Sequence, residues 1–396
     1  MERWMTKYSD RKFRDLRIVG THHSACYEID GRDVIKSSFS RVKCFAFCFP
    51  GIFASWSRCQ SRKIETQLRM GVRYFDIRVA YTNGKIYVAH SCRGPELRIV
   101  LNEFLAFYGE PKNFSEISVL RFRPDVGNKK TMDCEEAQKV FRDTFLNHQI
   151  RAYIQNVLNP FSKSLQELRK KPIIVVWTHG TTNFIISSSS THQNNTGFDR
   201  NVLGFGYHVP RHFNHWLRTD AIATLRKRME GTIEKVSKEQ KEFPLTVCQN
   251  ILTPSTKTIV YSILYRVLLC VLLPICVVMY GILWWIHTET VRTQVLPHFT
   301  MGIPFLVLIL FYSLTRPRWR LLDEKTKLAQ LEFIKNFCVN PDANKDFNVI
   351  TVDGVTTEFC REVIRLNEKD SSSKPAAAVM GTGLVVSSSK HDDSSS

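Results

Sequence analysis

Residues 73–90, RYFDIRVAYTNGKIYVAH, constrain the fold of this chain more than any other stretch. Tyr74, Asp76 and Arg78 alternate with Phe75, Ile77 and Val79. An extended backbone therefore puts the carboxylate and the guanidinium on one face and the apolar side chains on the other. Thr82-Asn83-Gly84-Lys85 supplies turn residues, and residues 86–89 read as a short second strand with His90 at its end. An acid, a fixed cation and an imidazole thus meet in one hairpin.

The rest of the chain supplies a frame for that hairpin. Residues 16–20 are an apolar strand that runs into Thr21-His22-His23-Ser24. A histidine just past a strand end stands where parallel barrels carry their chemistry. Residues 97–108 have helical spacing, 117–122 read as a strand ending in Arg121 and Arg123, and 132–155 are mostly helix. Residues 172–177 form an apolar run suited to a strand buried on both faces. Residues 219–241 read as a charged helix, while 245–249 and 348–352 are further strands, the last running into Asp353. Residues 181–200, rich in Ser, Thr and Asn, read as a surface loop. Alternating strands and helices over 396 residues, 43% of them apolar, predict an α/β barrel. Two imidazoles flanking an arginine are the base, acid and charge stabiliser of a phosphoryl displacement.

The motifs GTHHS (20–24), QLRMGVRYFDIRV (67–79) and YVAH (87–90) resemble the X domain of phosphatidylinositol-specific phospholipases C. WSRCQ (56–60) leans toward the branch with glycosylphosphatidylinositol phospholipase C and X-domain-only proteins. The resemblance is strong over residues 16–108 and weaker as far as 348–352. It implies a distorted TIM-like (β/α) barrel that cleaves phosphatidylinositol or its glycosylated form to diacylglycerol and a cyclic inositol phosphate. His22 would take the proton of the inositol 2-hydroxyl and His90 would protonate the departing glycerol oxygen. Arg78 would neutralise the phosphoryl oxygens, Asp353 would orient His22, and Asp76 would hold Arg78 or His90. Arg121, Arg123 and His179 are the candidate substrate-binding residues. Calcium-dependent relatives use a metal for positive charge. Here Arg78 stands beside a strand with no acidic cluster, so a metal-independent mechanism without cofactor is expected, with calcium as the competing possibility. The chain departs from the family pattern in two places. His23 replaces the usual acid after the first histidine, and the strand ending at Trp177 lacks a basic residue, a loss that His179 or Arg123 would offset. The alternative is a catalytically inactive X-domain protein that binds phosphoinositide or a protein partner at the membrane.

A net charge of +18 and a pI near 9.5 call for an anionic partner. The chain has no zinc-finger ligand set, helix-turn-helix signature or aromatic RNA-binding strand, which leaves a membrane surface and excludes nucleic acid. Its eleven cysteines match neither a disulfide framework nor a zinc site. Residues 1–17 carry charge rather than an apolar leader, so a reduced, cytosol-facing domain is expected. Residues 38–56 place Phe39, Phe45, Phe47, Phe49, Phe53 and Trp56 beside Arg41 and Lys43. This reads as a membrane-facing lip, or else as a core helix, and Cys44 and Cys48 are candidate acylation points. Residues 267–285 are apolar without a charge and long enough to span a bilayer. A second run at 295–314 contains Pro297, His298 and Pro304. Lys257, Arg266, Arg316, Arg318 and Arg320 flank the pair and Arg292 lies between, which predicts a multi-pass helical hairpin with both termini cytosolic. The expected organisation is a main barrel part (1–257), a transmembrane hairpin insertion (258–318), a C-terminal barrel part (319–369) and a disordered Ser-rich tail (370–396).

Overall fold

Twelve strands answer the apolar and alternating segments. They are β1 (Ile18–Thr21), β2 (Asp30–Val34), β3 (Tyr74–Thr82), β4 (Lys85–His90), β5 (Cys92–Glu96), β6 (Ser118–Pro124), β7 (Ile173–His179), β8 (Thr182–Ile186), β9 (Phe205–Val209), β10 (Phe213–Trp216), β11 (Thr246–Asn250) and β12 (Val349–Val352). The computed structural model describes residues 1–35, 47, 50–125, 129–156, 160–179, 182–186, 205–209, 213–216, 245–250, 278, 279, 281, 282 and 348–372. The main helices among them are α1 (Pro50–Ser57), α2 (Ile64–Arg69), α3 (Leu97–Tyr108), α4 (Glu135–Leu146) and α5 (Thr357–Ser372).

Strands β10-β11-β12-β1-β3-β6-β7 form one parallel ladder, and β8 and β9 continue it antiparallel. The first strand lies between β12 and β3, so the two ends of the described chain meet in mid-sheet as in a barrel. From β3 a second ribbon folds away, β3-β4-β5-β2, antiparallel throughout. Its first turn is Asn83-Gly84, both at positive φ (50° and 74°), which suits a two-residue hairpin and delivers His90 at the end of β4.

The alternation in β3 does not separate core from solvent, because residues 74–80 are all buried. Phe75 packs edge-on against Phe104 of α3, ring centroids 4.9 Å apart, so one face of the strand meets the helix layer. The other face holds Tyr74, Asp76 and Arg78. The same layering recurs where Phe122 and Trp177, neighbours across β6 and β7, sit against Phe141 of α4. Trp177 is thus a helix-packing residue, and a basic side chain there would not reach the site. Thr178, one residue on, is the member of β7 that meets Arg121.

Some expectations change. Residues 182–186, read as loop from average composition, form β8, whose Phe184, Ile185 and Ile186 the polar neighbours outweigh in the average. Helix α5 runs to Ser372, past the expected start of the tail at 370. Within residues 38–56, Phe53 joins the core while Phe47 is 77% exposed, so this segment has both a core part and an outward aromatic. The expected helix at 219–241 lies outside the described residues, and so do nearly all of 258–318. Among the described residues no helix is long and apolar enough to cross a membrane.

Gly20 makes the close approach of β1 to its neighbours possible. A Cβ there would lie 2.6 Å from the Thr351 methyl and 3.1 Å from a Val349 methyl. Gly20→Ala is therefore expected to lower stability by about 1–3 kcal/mol through overpacking. Denaturant unfolding should show a lower midpoint with an unchanged slope.

Candidate active site

The end of β1 builds the first half of the site. Thr21 faces Val352 on one side and Phe75 on the other. His22 and Asp353, next in each chain, consequently lie together, with His22 Nδ1 3.0 Å from Asp353 Oδ1. The His22 amide donates to the Val352 carbonyl at 3.0 Å. Gln60 clamps the same corner. Its Nε2 donates to the carbonyls of His22 and Val352, both at 2.9 Å, and its Oε1 accepts from the Val355 amide at 3.2 Å. Gln67 holds the loop from the other side, accepting from the Thr21 hydroxyl at 2.9 Å and donating to the Ser24 carbonyl at 2.8 Å. Both glutamines are buried. The turn between these anchors places His23 at φ 44°, a left-handed conformation uncommon for a side chain of this size.

Strands β3 and β6 build the second half. Their register sets Asp76 opposite Arg121 and Arg78 opposite Arg123. Asp76 pairs with Arg123 at 2.7 Å and lies 3.8 Å from Arg121. It was expected to hold Arg78 or His90, and it does neither by contact, because the nearest guanidiniums come from the adjacent strand. Burial alone would push the Asp76 carboxyl up, but Arg123 and then Arg121 outweigh it and hold the group well below the usual carboxylate range. Arg78 instead faces Asp125 at 3.9 Å. Asp125 is itself tied down by its amide to the Val79 carbonyl, 2.9 Å, and accepts from the Ser91 amide at 3.4 Å. Residues 121, 123 and 125 share the inward parity of β6, a signal in the sequence that would have found this acid.

His90 completes the cluster. Its Nδ1 lies 3.0 Å from the Ser57 carbonyl and 3.4 Å from Cys59 Sγ. A neutral imidazole donates to that carbonyl from Nδ1, leaving Nε2 as the bare nitrogen. The ring of His23 lies between the other two, 4.1 Å from His22 and 3.9 Å from His90. Desolvation first, then Arg78 and His22, lower His90 to about 4, with Asp125 opposing. His23 is pushed well below its ordinary value by burial, then by Arg78 and the two flanking imidazoles. His22 Nε2, His23 Nε2 and Arg78 Nε are buried and have no hydrogen-bond partner among the described residues. Such atoms cost about 1–3 kcal/mol each unless something pairs with them. Asp76, Asp125 and Asp353 balance the three arginines in number, so what the site offers an anion is directional donors, above all the Nε of Arg78 that has no partner among the described residues. His179 closes β7 beside Thr182, and its side chain lies outside the described residues.

His22, Cys59 and Asp353 are the group among the described residues whose donor atoms come close enough to share an ion, all within 4.8 Å of one another. Nitrogen, sulfur and a single carboxylate do not fit the oxygen shell of calcium.

No protein-family model matches the chain. A PI-PLC X-box domain-containing protein of Dictyostelium discoideum is 32% identical over 125 residues, covering 30% of this chain and 16% of the relative. A PI-PLC X domain-containing protein of the same organism is 38% identical over 113 residues, 26% of this chain and 19% of the relative. A variant-surface-glycoprotein phospholipase C of Trypanosoma cruzi is 35% identical over 117 residues, 26% of this chain and 30% of the relative. The chain thus spans less than a third of the length of each. Among solved structures, a phosphatidylinositol-specific phospholipase C from Listeria monocytogenes has a TM-score of 0.51 at 15% identity, over 92% of this chain and 98% of that one. The likeness to phosphatidylinositol-specific phospholipase C read from the motifs is borne out, and so is the TIM-like barrel.

The desolvated His90 gives a direct test. Its ring resonances should titrate with a midpoint about 4 by NMR, not near the ordinary 6.5. Because the unfolded chain binds that proton more tightly, its contribution to stability is complete above about 6.5 and is lost as pH falls toward 4.

Proposed function

We propose that this chain is a membrane-anchored phosphoric diester hydrolase of the phospholipase C type, acting on phosphatidylinositol or glycosylphosphatidylinositol. One observation carries the reading: Asp353 fixes Nδ1 of His22 while Nε2 of the same buried ring has no partner among the described residues, beside Arg78 and His90. With Nδ1–H donating to Asp353, the lone pair is on Nε2, which is the tautomer a general base needs. His22 takes the proton of the inositol 2-hydroxyl, and that oxygen forms a bond to the adjacent phosphorus. The bond from phosphorus to the glycerol oxygen breaks, and His90 supplies the proton to the departing oxygen. The products are diacylglycerol and a cyclic inositol phosphate. Arg78 offers a planar fork to the phosphoryl oxygens as charge develops there. Arg121 and Arg123, neutralised in part by Asp76, extend the positive wall toward the ring hydroxyls, and His179 stands at the rim of the same strand ends.

His90 is the demanding member. As the acid it must be protonated, whereas its surroundings favour the neutral ring. A bound phosphodiester anion offsets Arg78 and raises His90 again, so substrate itself arms the acid. No metal is needed in this scheme, since Arg78 carries the charge. The placement of His23 next to His90 favours the second reading, an inactive phosphoinositide or protein binder, because the carboxylate that acts on His90, Asp125, is shared with Arg78. The membrane anchor is the hairpin of residues 258–318, with the catalytic part and both termini cytosolic.

Purified protein in mixed micelles with labelled phosphatidylinositol should release cyclic inositol phosphate. His22→Ala and His90→Ala should each lower turnover by about a hundredfold or more. Arg78→Lys should fail nearly as badly, since it keeps the charge and loses the fork. Folded histidine variants that match the parent would remove His22 and His90 from the mechanism. Binding of both lipids without product would favour the inactive reading.

Topology has its own assay. Protease added to sealed vesicles with the cytosolic side outward should digest both the N-terminal part and the C-terminal tail. Protection of either end rules out the hairpin orientation.

A further inference from the structure

Cys59 belongs to no step of the chemistry above, yet its thiol stands at the centre of the histidine cluster. Its Sγ is 3.4 Å from His90 Nδ1 and shares a 4.8 Å sphere with donor atoms of His22 and Asp353. The backbone fixes this placement. Cys59 precedes the clamping Gln60, and its carbonyl accepts from the Gly354 amide at 2.8 Å, tying it to the residue after Asp353. The three donors therefore come from three chain segments that are locked together independently of any ligand. The half-buried thiol is held protonated at neutral pH, first by desolvation and then by Asp353.

We propose that Cys59, His22 and Asp353 form an inhibitory binding site for a soft divalent transition-metal ion of the zinc class. A tetrahedral ion with bonds of about 2.0–2.3 Å holds its donors roughly 3.3–3.8 Å apart, so closing the set takes a shift of about an ångström. A rotation of the Cys59 side chain supplies it. The fourth position falls to water or to His90. Thiolate and imidazole select zinc over calcium or magnesium, which require oxygen shells. Binding breaks the Cys59 S–H bond and forms a sulfur–metal bond, with the proton passing to solvent, so affinity rises with pH. His22 ligating through Nδ1, the nitrogen already turned to Asp353, carries its proton on Nε2. That tautomer cannot accept the proton of a substrate hydroxyl. The metal thereby switches off the base without touching the fold, an effect on turnover that rests on the phospholipase reading given above.

The test uses the full chain in detergent with zinc chloride as the probe. Equilibrium dialysis should find an ion that the Cys59→Ser and Cys59→Ala variants bind more weakly by about tenfold or more, at least the loss seen when a ligand loses its supporting partner. Cobalt in place of zinc should give a sulfur-to-metal charge-transfer band that vanishes in both variants. In the micelle assay zinc should stop product release reversibly by chelator, calcium and magnesium should not, and the variants should turn over like the parent but escape inhibition. Equal zinc binding by parent and both variants, or no binding by the parent, overturns the site. Cys59-dependent binding that leaves product release unchanged overturns the inhibition. The dialysis and cobalt readings need no turnover, so they decide the metal site even if the parent releases no product.

Discussion

The parallel ladder between β1 and β12 is the contact on which the site depends. Thr21 opposite Val352 puts His22 beside Asp353 although they are 331 positions apart in the chain. Two devices hold that register. Gly20 lets the strands come close, and Gln60 ties the carbonyls at both strand ends to a single side chain. A slip of one residue would turn His22 to the other face and move Asp353 out of reach, because side-chain direction repeats every two residues. The proposed base is therefore positioned by backbone pairing. Its side-chain partner then selects the tautomer.

Charge divides the arginines of the central strand into two kinds. Arg73, at the N-terminal end, is fully buried and saturated. It pairs with Glu116 at 2.7 Å and donates to the carbonyls of Leu68 and Val72, each at 2.7 Å. Removing either member of such a pair costs about 3–5 kcal/mol because it leaves a buried charge alone. Arg78, five residues on, has a loose 3.9 Å contact with Asp125 and a buried Nε without a partner among the described residues. The saturated guanidinium secures the strand. The unsaturated one is left with directional donors for an anion, at the end where β1, β3, β6 and β12 all present their polar residues.

How far the sequence could be read follows from the range of each interaction. Alternation along β3, the Asn83-Gly84 turn and helix α3 depend on neighbours in the chain, and all were legible. The barrel and the likeness to phosphatidylinositol-specific phospholipase C were legible too, since residues 67–79 and the two histidine motifs are distinctive together. The partner of Asp76 was not, because pairing with Arg121 and Arg123 depends on the register between β3 and β6, which no local pattern encodes. Gln60 and Gln67 were missed for a related reason. Each acts on backbone carbonyls, Gln60 from a loop and Gln67 from helix α2, and no periodic pattern marks a side chain that bonds to backbone. Strand β8 was hidden because its apolar residues are few and sit among polar ones.

The same register bears on how the proposed anchor relates to the site. Val247 faces Val349 and Asn250 faces Val352, so β11 and β12 pair directly although residues 251–347 separate them in sequence. Loop-closure entropy grows only with the logarithm of length, so a long insertion between paired strands adds little cost. Because β11 runs parallel to β1, the chain leaves Asn250 at the end of the sheet where Val352 leads to Asp353 and Thr21 to His22. Residues 251–266 then separate that end from the first apolar run. A fully extended chain of that length reaches roughly 50–60 Å and any folded form less. The proposed hairpin is thus tethered at the mouth of the barrel, the side from which the proposed lipid substrate would enter. An anchor joined to the opposite end would hold the histidines away from a bilayer; the proposed one would limit how far they could turn from it.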